Sequence, residues 1–325
     1  MKKLPLLVLA GLLTAFVLAG YQAAQYERPK KEALKESSFS WPPGKRAALS
    51  LTFDDARPSQ IDTGLPLLEK YGVKATFYVS PPDVKLRLDG WKRAVVAGHE
   101  IGNHTLTHPC TGNYPGFRDR ALEDLTLGQM AGEIDGASRA IFRQLGVWPR
   151  TFAYPCGQTF IGRGRHVASF VPLVAERFLA GRKWLSEDSN DPEFCDLSQL
   201  LSSESDGKSF AEIKTLVDRA VAEGRWLVLS GHEVGSGGFQ TTLASALEDL
   251  CRYAGDPKTG VWIDTVAGVS DYILRARRSR KYSEPGELRR ENLPSGSRAR
   301  SLEERAEELL GRMTLEEKVG QMNMP

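Results

Sequence analysis

The sequence predicts an α/β chain folded as a distorted (β/α) barrel of about seven parallel strands, and three observations carry that expectation. Short apolar runs alternate with helix-like segments across residues 46–278. Acidic or histidine residues stand just after several of these runs, as in barrels whose sites are built at the carboxyl ends of the strands. The 325 residues exceed one average domain, but barrels of about 200–250 residues form a single domain, which leaves the two ends as appendages.

The first strand is expected at 47–53, where apolar side chains alternate and the run ends on β-branched and aromatic residues. Further strands are expected at 75–79, 100–102, 151–153, 177–180, 226–230 and 261–263. Helices fall between them, at 62–71, 90–97, 122–145, 210–223, 241–254 and 266–277. Seven strands argue for an incomplete or distorted barrel over a regular eightfold one. Around this barrel the chain divides into a signal peptide or anchor (1–24), a polar tether (25–45), a Gly-, Pro- and Ser-rich linker (279–300) and a C-terminal helical tail (301–325).

Forty-three basic and 41 acidic residues leave a net charge of +2, which gives no case for a nucleic-acid partner. The local basic excess at 275–281 reads as a solvated linker. At the start, Lys2 and Lys3 precede the apolar stretch 4–20, the layout of a secretory signal. The expected location is therefore secreted or periplasmic; the alternative is an uncleaved membrane anchor. Such a stretch would span about 26 Å as a helix, slightly short of a roughly 30 Å hydrocarbon core.

In an exported chain, Cys110, Cys156, Cys195 and Cys251 permit two disulfides in three connectivities. The sequence does not choose among them. Cys110 and Cys156 fall in loops beside the expected site, so a bridge there would pin those loops together; buried or free thiols are the equal alternative.

The chemistry sits in three motifs. Thr52-Phe53-Asp54-Asp55 closes the first strand with paired carboxylates, and His104-Thr105-Leu106-Thr107-His108 offers two imidazoles at a spacing that places both on one face of a helical turn. Of only five histidines, a third, His232 in Ser230-Gly231-His232, also follows an expected strand. Together these residues point to a mononuclear metal hydrolase.

At the same three motifs the chain resembles the polysaccharide deacetylases of carbohydrate esterase family 4, NodB-like, over roughly residues 45–278. The resemblance implies that Asp55, His104 and His108 bind a divalent metal, most often Zn²⁺. Three protein ligands leave zinc an open position, at which a bound water becomes nucleophilic near neutral pH. Asp54 would act as general base and His232 as general acid, and the backbone amide of Tyr154 or Cys156 would complete an oxyanion site. The implied activity is removal of acetyl groups from an acetylated polysaccharide or oligosaccharide, as O- or N-deacetylation. Trp184 is a candidate sugar platform, with a core tryptophan the alternative.

One motif departs from the family. Its usual arginine, two residues before Pro-aromatic-Gly, is replaced by Ala153, and the aromatic by Cys156. Arg57 and Arg163 are candidates to orient Asp54 instead, while Arg150 reads as structural. Gln240, Thr241 and Thr242 either line the pocket or, at Thr241, cap a helix; His99 and Glu100 read as structural and Glu233 as a neighbour supporting His232.

Residues 305–322 resemble the opening helix of glycoside hydrolase family 3 enzymes without any of their catalytic residues. That resemblance implies a fused glycosidase in a longer chain and, by association, favours O-acetyl esters; an accidental amphipathic helix is the alternative. Two rival readings are a related barrel hydrolase of small-molecule C–N bonds and a catalytically inactive carbohydrate-binding barrel.

Overall fold

The computed structural model describes residues 39–184 and 188–279. The expected signal or anchor, residues 25–38 of the tether, residues 280–300 of the linker and the C-terminal helix lie outside these residues. In chain order the described residues form β1 (Ala47–Asp54), α1 (Leu65–Lys70), β2 (Thr76–Val79), α2 (Pro81–Val84), α3 (Leu88–Val96), β3 (Glu100–Asn103), α4 (Leu127–Leu145) and β4 (Thr151–Ala153). Then follow β5 (Phe160–Ile161), β6 (Ala168–Ser169), α5 (Val171–Arg177), β7 (Ala180–Arg182), β8 (Ser203–Glu204), α6 (Phe210–Glu223) and β9 (Trp226–Gly231). The remainder is β10 (Glu233–Gly235), β11 (Thr241–Leu243), α7 (Ala244–Gly255), β12 (Val261–Ile263) and α8 (Val266–Ser279).

Seven strands form one sheet in the order β7-β4-β3-β2-β1-β9-β8, every pairing parallel, and β12 adds to the first half of β1. The sheet curls because residues 200–204 touch both of its edges: Leu200 bridges Arg182 of β7, while Ser203 and Glu204 pair with β9. The result is the distorted barrel the sequence predicts. β8 was not expected, since two residues are too few to show a period of two.

Alternation along β1 sorts its side chains. Leu49, Leu51 and Phe53 join the core beneath the surrounding helices, with Leu65, Leu68, Trp91, Val217 and Leu247. Ser50, Thr52 and Asp54 have the opposite parity and face the barrel interior, where Trp226 Nε1 donates to Ser50. All eight β1 residues are buried.

The helices end where their caps dictate. Helix α4 starts at Leu127, later than the pattern suggests, because Thr126 and Gln129 close a capping box, and it stops at the left-handed Gly146. Ser209 and Glu212 cap α6 in the same way. The helix expected from 241 begins only at Ala244, since residues 241–243 pair as a strand with β10. Residues 177–180, expected as a strand, straddle the end of α5 and the start of β7. Pro172 favours the first turn of that short helix, and its apolar run merges with that of the strand that follows.

Gly102 makes room in the barrel interior. A Cβ there would lie 2.3 Å from Tyr78 Cδ1 and 3.1 Å from Thr151 Oγ1. Gly102→Ala should therefore cost about 1–3 kcal/mol, as overpacking does; an unchanged denaturant midpoint would refute this seat for Tyr78.

Candidate active site

A cleft of about 870 Å³ opens at the carboxyl end of the sheet, lined by Asp54, Asp55, His104, His108 and His232. Adjacent strand residues point to opposite faces, yet both aspartates reach this cleft. The chain achieves that by turning left-handed at Asp55 (φ 73°) and Ala56 (φ 55°) immediately after β1. Every non-glycine residue with positive φ among those described, including Thr105, His108, Cys156 and Gln240, lies at or beside this cleft. Each costs on the order of 1–3 kcal/mol, and such strain concentrates where function requires it.

The two histidines come together without a helix. Residues 104–108 form a bend, not the helical turn suggested by their spacing, because Thr105 (φ 63°) and His108 (φ 54°) are left-handed. The bend is tied from both sides. Thr105 N–H donates to Asn103 Oδ1 (2.8 Å), His108 N–H donates to Thr105 Oγ1 (3.1 Å), and Glu133 on α4 accepts from the Leu106 and Thr107 amides (3.2 and 2.8 Å). The imidazoles lie 4.7 Å apart between ring centroids.

Asp55 Oδ1 stands 3.5 Å from His104 Nε2 and 3.4 Å from His108 Nε2, and the ligand atoms of the three residues fall within 4.8 Å of one another. His104 Nδ1–H donates to the Ala153 carbonyl at 2.9 Å, which leaves the Nε2 lone pair facing Asp55. Burial, reinforced by His104, lowers His108 to about 4, so its imidazole is neutral at pH 7 and able to ligate a metal. Burial pushes the Asp55 carboxyl up, but His104, His108, His232 and Arg57 together hold it below the ordinary carboxylate range. Two imidazoles and a carboxylate, oriented and close, fit a divalent cation.

The remaining expectations sort clearly. Arg57 donates to Asp55 Oδ2 at 3.0 Å and lies 3.8 Å from Glu233, while Arg163 pairs with Asp124 on the surface; neither touches Asp54. The guanidinium on Asp54 is instead that of Arg182, from β7, which donates to Asp54 Oδ1. Arg150 pairs with Asp271, and His99 and Glu100 bond the surrounding backbone and threonines, all in structural roles. Glu233 serves Ser59 and Arg57, on the Asp55 side, so it does not support His232.

The residue that does support His232 is Asp206, which was not expected. His232 Nδ1–H donates to Asp206 Oδ2 at 2.7 Å, and the His232 amide and the Thr242 hydroxyl donate to Oδ1 at 3.2 and 2.7 Å. Gly231 is needed for this approach, since a Cβ there would fall 2.9 Å from Asp206 Oδ1 and 2.2 Å from Thr242 Oγ1. Of the residues after His232, Gln240 lines the cleft; Thr241 is a buried strand residue and caps no helix.

Tyr154 is corrected as an oxyanion donor: its amide donates to the Arg182 carbonyl within the sheet, and its hydroxyl to the Ser198 carbonyl. Cys156 stays at the cleft, held by a disulfide to Cys110; Cys195 and Cys251 are free. The bridge joins the loop carrying His108 to the loop after β4. Trp184 lines the cleft with its ring edge-on to His232, centroids 5.3 Å apart. Leu86, Tyr114 and Phe239 at the cleft are exposed.

Residues 42–164 match the family model described as polysaccharide deacetylase. Among curated proteins, the chain is 34% identical over 93 residues to the uncharacterized protein YlxY of Bacillus subtilis, covering 29% of this chain and 26% of that one. It is 31% identical over 110 residues to the peptidoglycan-N-acetylglucosamine deacetylase PgdA of Listeria monocytogenes, covering 34% of this chain and 21% of that one. The chain thus spans about a quarter of the length of these relatives. Its fold is similar to that of a structure from Mycobacterium smegmatis assigned to the polysaccharide deacetylases, with TM-score 0.56 and 18% identity over 78% of this chain and 98% of that one. It is also similar in fold to the allantoinase PuuE, with TM-score 0.54 and 16% identity over 74% of this chain and 93% of that one.

Burial lowers the His232 pKa, but the Asp206 hydrogen bond and the charges of Asp54, Asp55 and Asp206 raise it above the ordinary histidine value. Asp206→Asn removes a charge that stabilises the imidazolium, so the His232 pKa read from its ring proton shifts should fall. An unmoved titration would refute the pairing.

Proposed function

We propose that the chain is a metal-dependent hydrolase that removes acetyl groups from carbohydrate. The observation that carries this reading is the convergence of a base, three ligands and an acid on one cleft: Asp54; Asp55, His104 and His108; His232. The match of residues 42–164 to the deacetylase family supports it.

Asp55, His104 and His108 would hold a divalent cation, for which zinc suits the donor set, and such an ion would contribute Lewis acidity toward an acyl carbonyl and a water. Asp54, held by the Arg182 guanidinium, takes the proton from the attacking water. The Cys156 amide is the donor assigned to the developing oxyanion, a contribution of about 2.7–4 kcal/mol per donor in comparable sites. His232 donates from Nε2 to the departing oxygen or nitrogen, while Asp206 on Nδ1 stabilises the imidazolium from which that proton comes. Trp184, Tyr114 and Phe239 offer aromatic faces and edges to a sugar ring.

An open cleft with exposed aromatic residues favours a glycan over a small C–N substrate, although the fold is shared with an allantoinase. The full set of base, ligands and acid argues against an inactive binding barrel. Export by the N-terminal segment belongs to the same proposal, since an extracellular glycan is the natural substrate for such a chain.

The test is acetate release by the zinc-loaded full chain from acetylated xylan and from chitin oligosaccharides, beside Asp55→Ala. Release that disappears in the variant is the expected result, and the active substrate decides between ester and amide. No release from either would overturn the reading.

A further inference from the structure

Ala153 stands where the family pattern has an arginine, yet Asp54 does not lack a guanidinium. On the neighbouring strand, Arg182 is the register partner of Ala153. Its side chain is fully buried. One guanidinium nitrogen donates to Asp54 Oδ1, another donates to the Lys183 carbonyl at 3.0 Å, and the carbon between them sits 5.0 Å from the centre of the Tyr78 ring. The Tyr78 ring in turn occupies the space left open by Gly102.

We infer that Arg182 is the residue that positions Asp54, delivering from β7 the guanidinium that the family pattern places on β4. The inference rests on the reading of Asp54 as the base. With Oδ1 held by Arg182, Oδ2 is the oxygen nearer the ligand cluster, 4.0 Å from His104 Nε2. A carboxylate pinned through one oxygen presents the other at a fixed place, which is what proton abstraction requires. The same contact keeps Asp54 apart from the ligand set, because a carboxylate committed to a guanidinium is a poorer metal donor. The exchange is sterically coherent: a methyl at 153 leaves the interior free, and the long side chain at 182 fills it from the next strand.

The experiment compares Arg182→Met, Arg182→Lys and the pair Arg182→Ala with Ala153→Arg, all in the full chain, by crystallography of the zinc-loaded protein, zinc stoichiometry and steady-state kinetics. Arg182→Met is expected to bind zinc in full, to show the Asp54 carboxylate turned from its place, and to lose kcat by about 10²-fold with KM within about twofold. Ala153→Arg is expected to restore at least about tenfold of that loss, in line with the recovery of one oriented charge-assisted hydrogen bond. Should Arg182→Met fail to fold, Arg182→Lys carries the test, since it keeps the charge and loses the fork. An Asp54 carboxylate unmoved in whichever of these variants folds, or an unchanged kcat there, would overturn the inference. If the parent chain releases acetate from nothing, the deacetylase reading fails, and the crystallographic comparison still decides what holds Asp54.

Discussion

The site depends on β1 being paired along both edges. Six of its residues register with β9; its last three pair with β2 and its first three with β12. A strand held this way has little freedom at its end, so the sheet locates the Asp54 backbone and leaves the carboxylate to be set by its side-chain partner, Arg182. The parallel arrangement then does the rest. Every strand of the sheet ends on the same rim, and β3 and β9 bring His104 and His232 to Asp54 with only the turns that follow them.

Three aspartates serve the ligand, base and acid positions, and their partners divide them. Asp54 has Arg182, Asp55 has two imidazoles and Arg57, and Asp206 has His232 and Thr242. None is left as a buried charge without compensation, which would be costly. The same division separates their chemistry. A carboxylate held by a guanidinium through one oxygen presents the other to a proton, one facing two imidazole nitrogens completes a ligand set, and one bonded to Nδ1 fixes the tautomer of an acid. The disulfide between Cys110 and Cys156 adds a covalent tie between the loop carrying His108 and the loop after β4.

Much of this was legible in the sequence, because the informative signals were local. A run of alternating apolar residues ending in Asp54-Asp55, a histidine pair four apart and a Ser-Gly-His after another apolar run each report on a single stretch of chain. The barrel followed from the alternation of strands and helices. What escaped were relations between distant stretches. Asp206 follows a strand of only two residues and meets His232 from 26 positions away. Arg182 was hidden by a boundary shift: with the strand placed at 177–180 it read as a loop residue, whereas in β7 (180–182) it points inward to Asp54, 128 positions distant. The histidine pair was read as helical because i, i+4 spacing suits a helix, although a left-handed bend tethered by Asn103 and Glu133 achieves the same proximity. The position of Tyr154 just after β4 suggests a free amide, but the sheet engages it through the Arg182 carbonyl.

The central claim is that two adjacent aspartates have separate roles, one as metal ligand and one as base. A crystal structure of the full chain grown with zinc tests it most directly. The account predicts one ion held by Asp55, His104 and His108, with Asp54 outside the coordination sphere and still on Arg182. Zinc bound by Asp54, or by Cys110 and Cys156 with His108 in place of the disulfide, would contradict it.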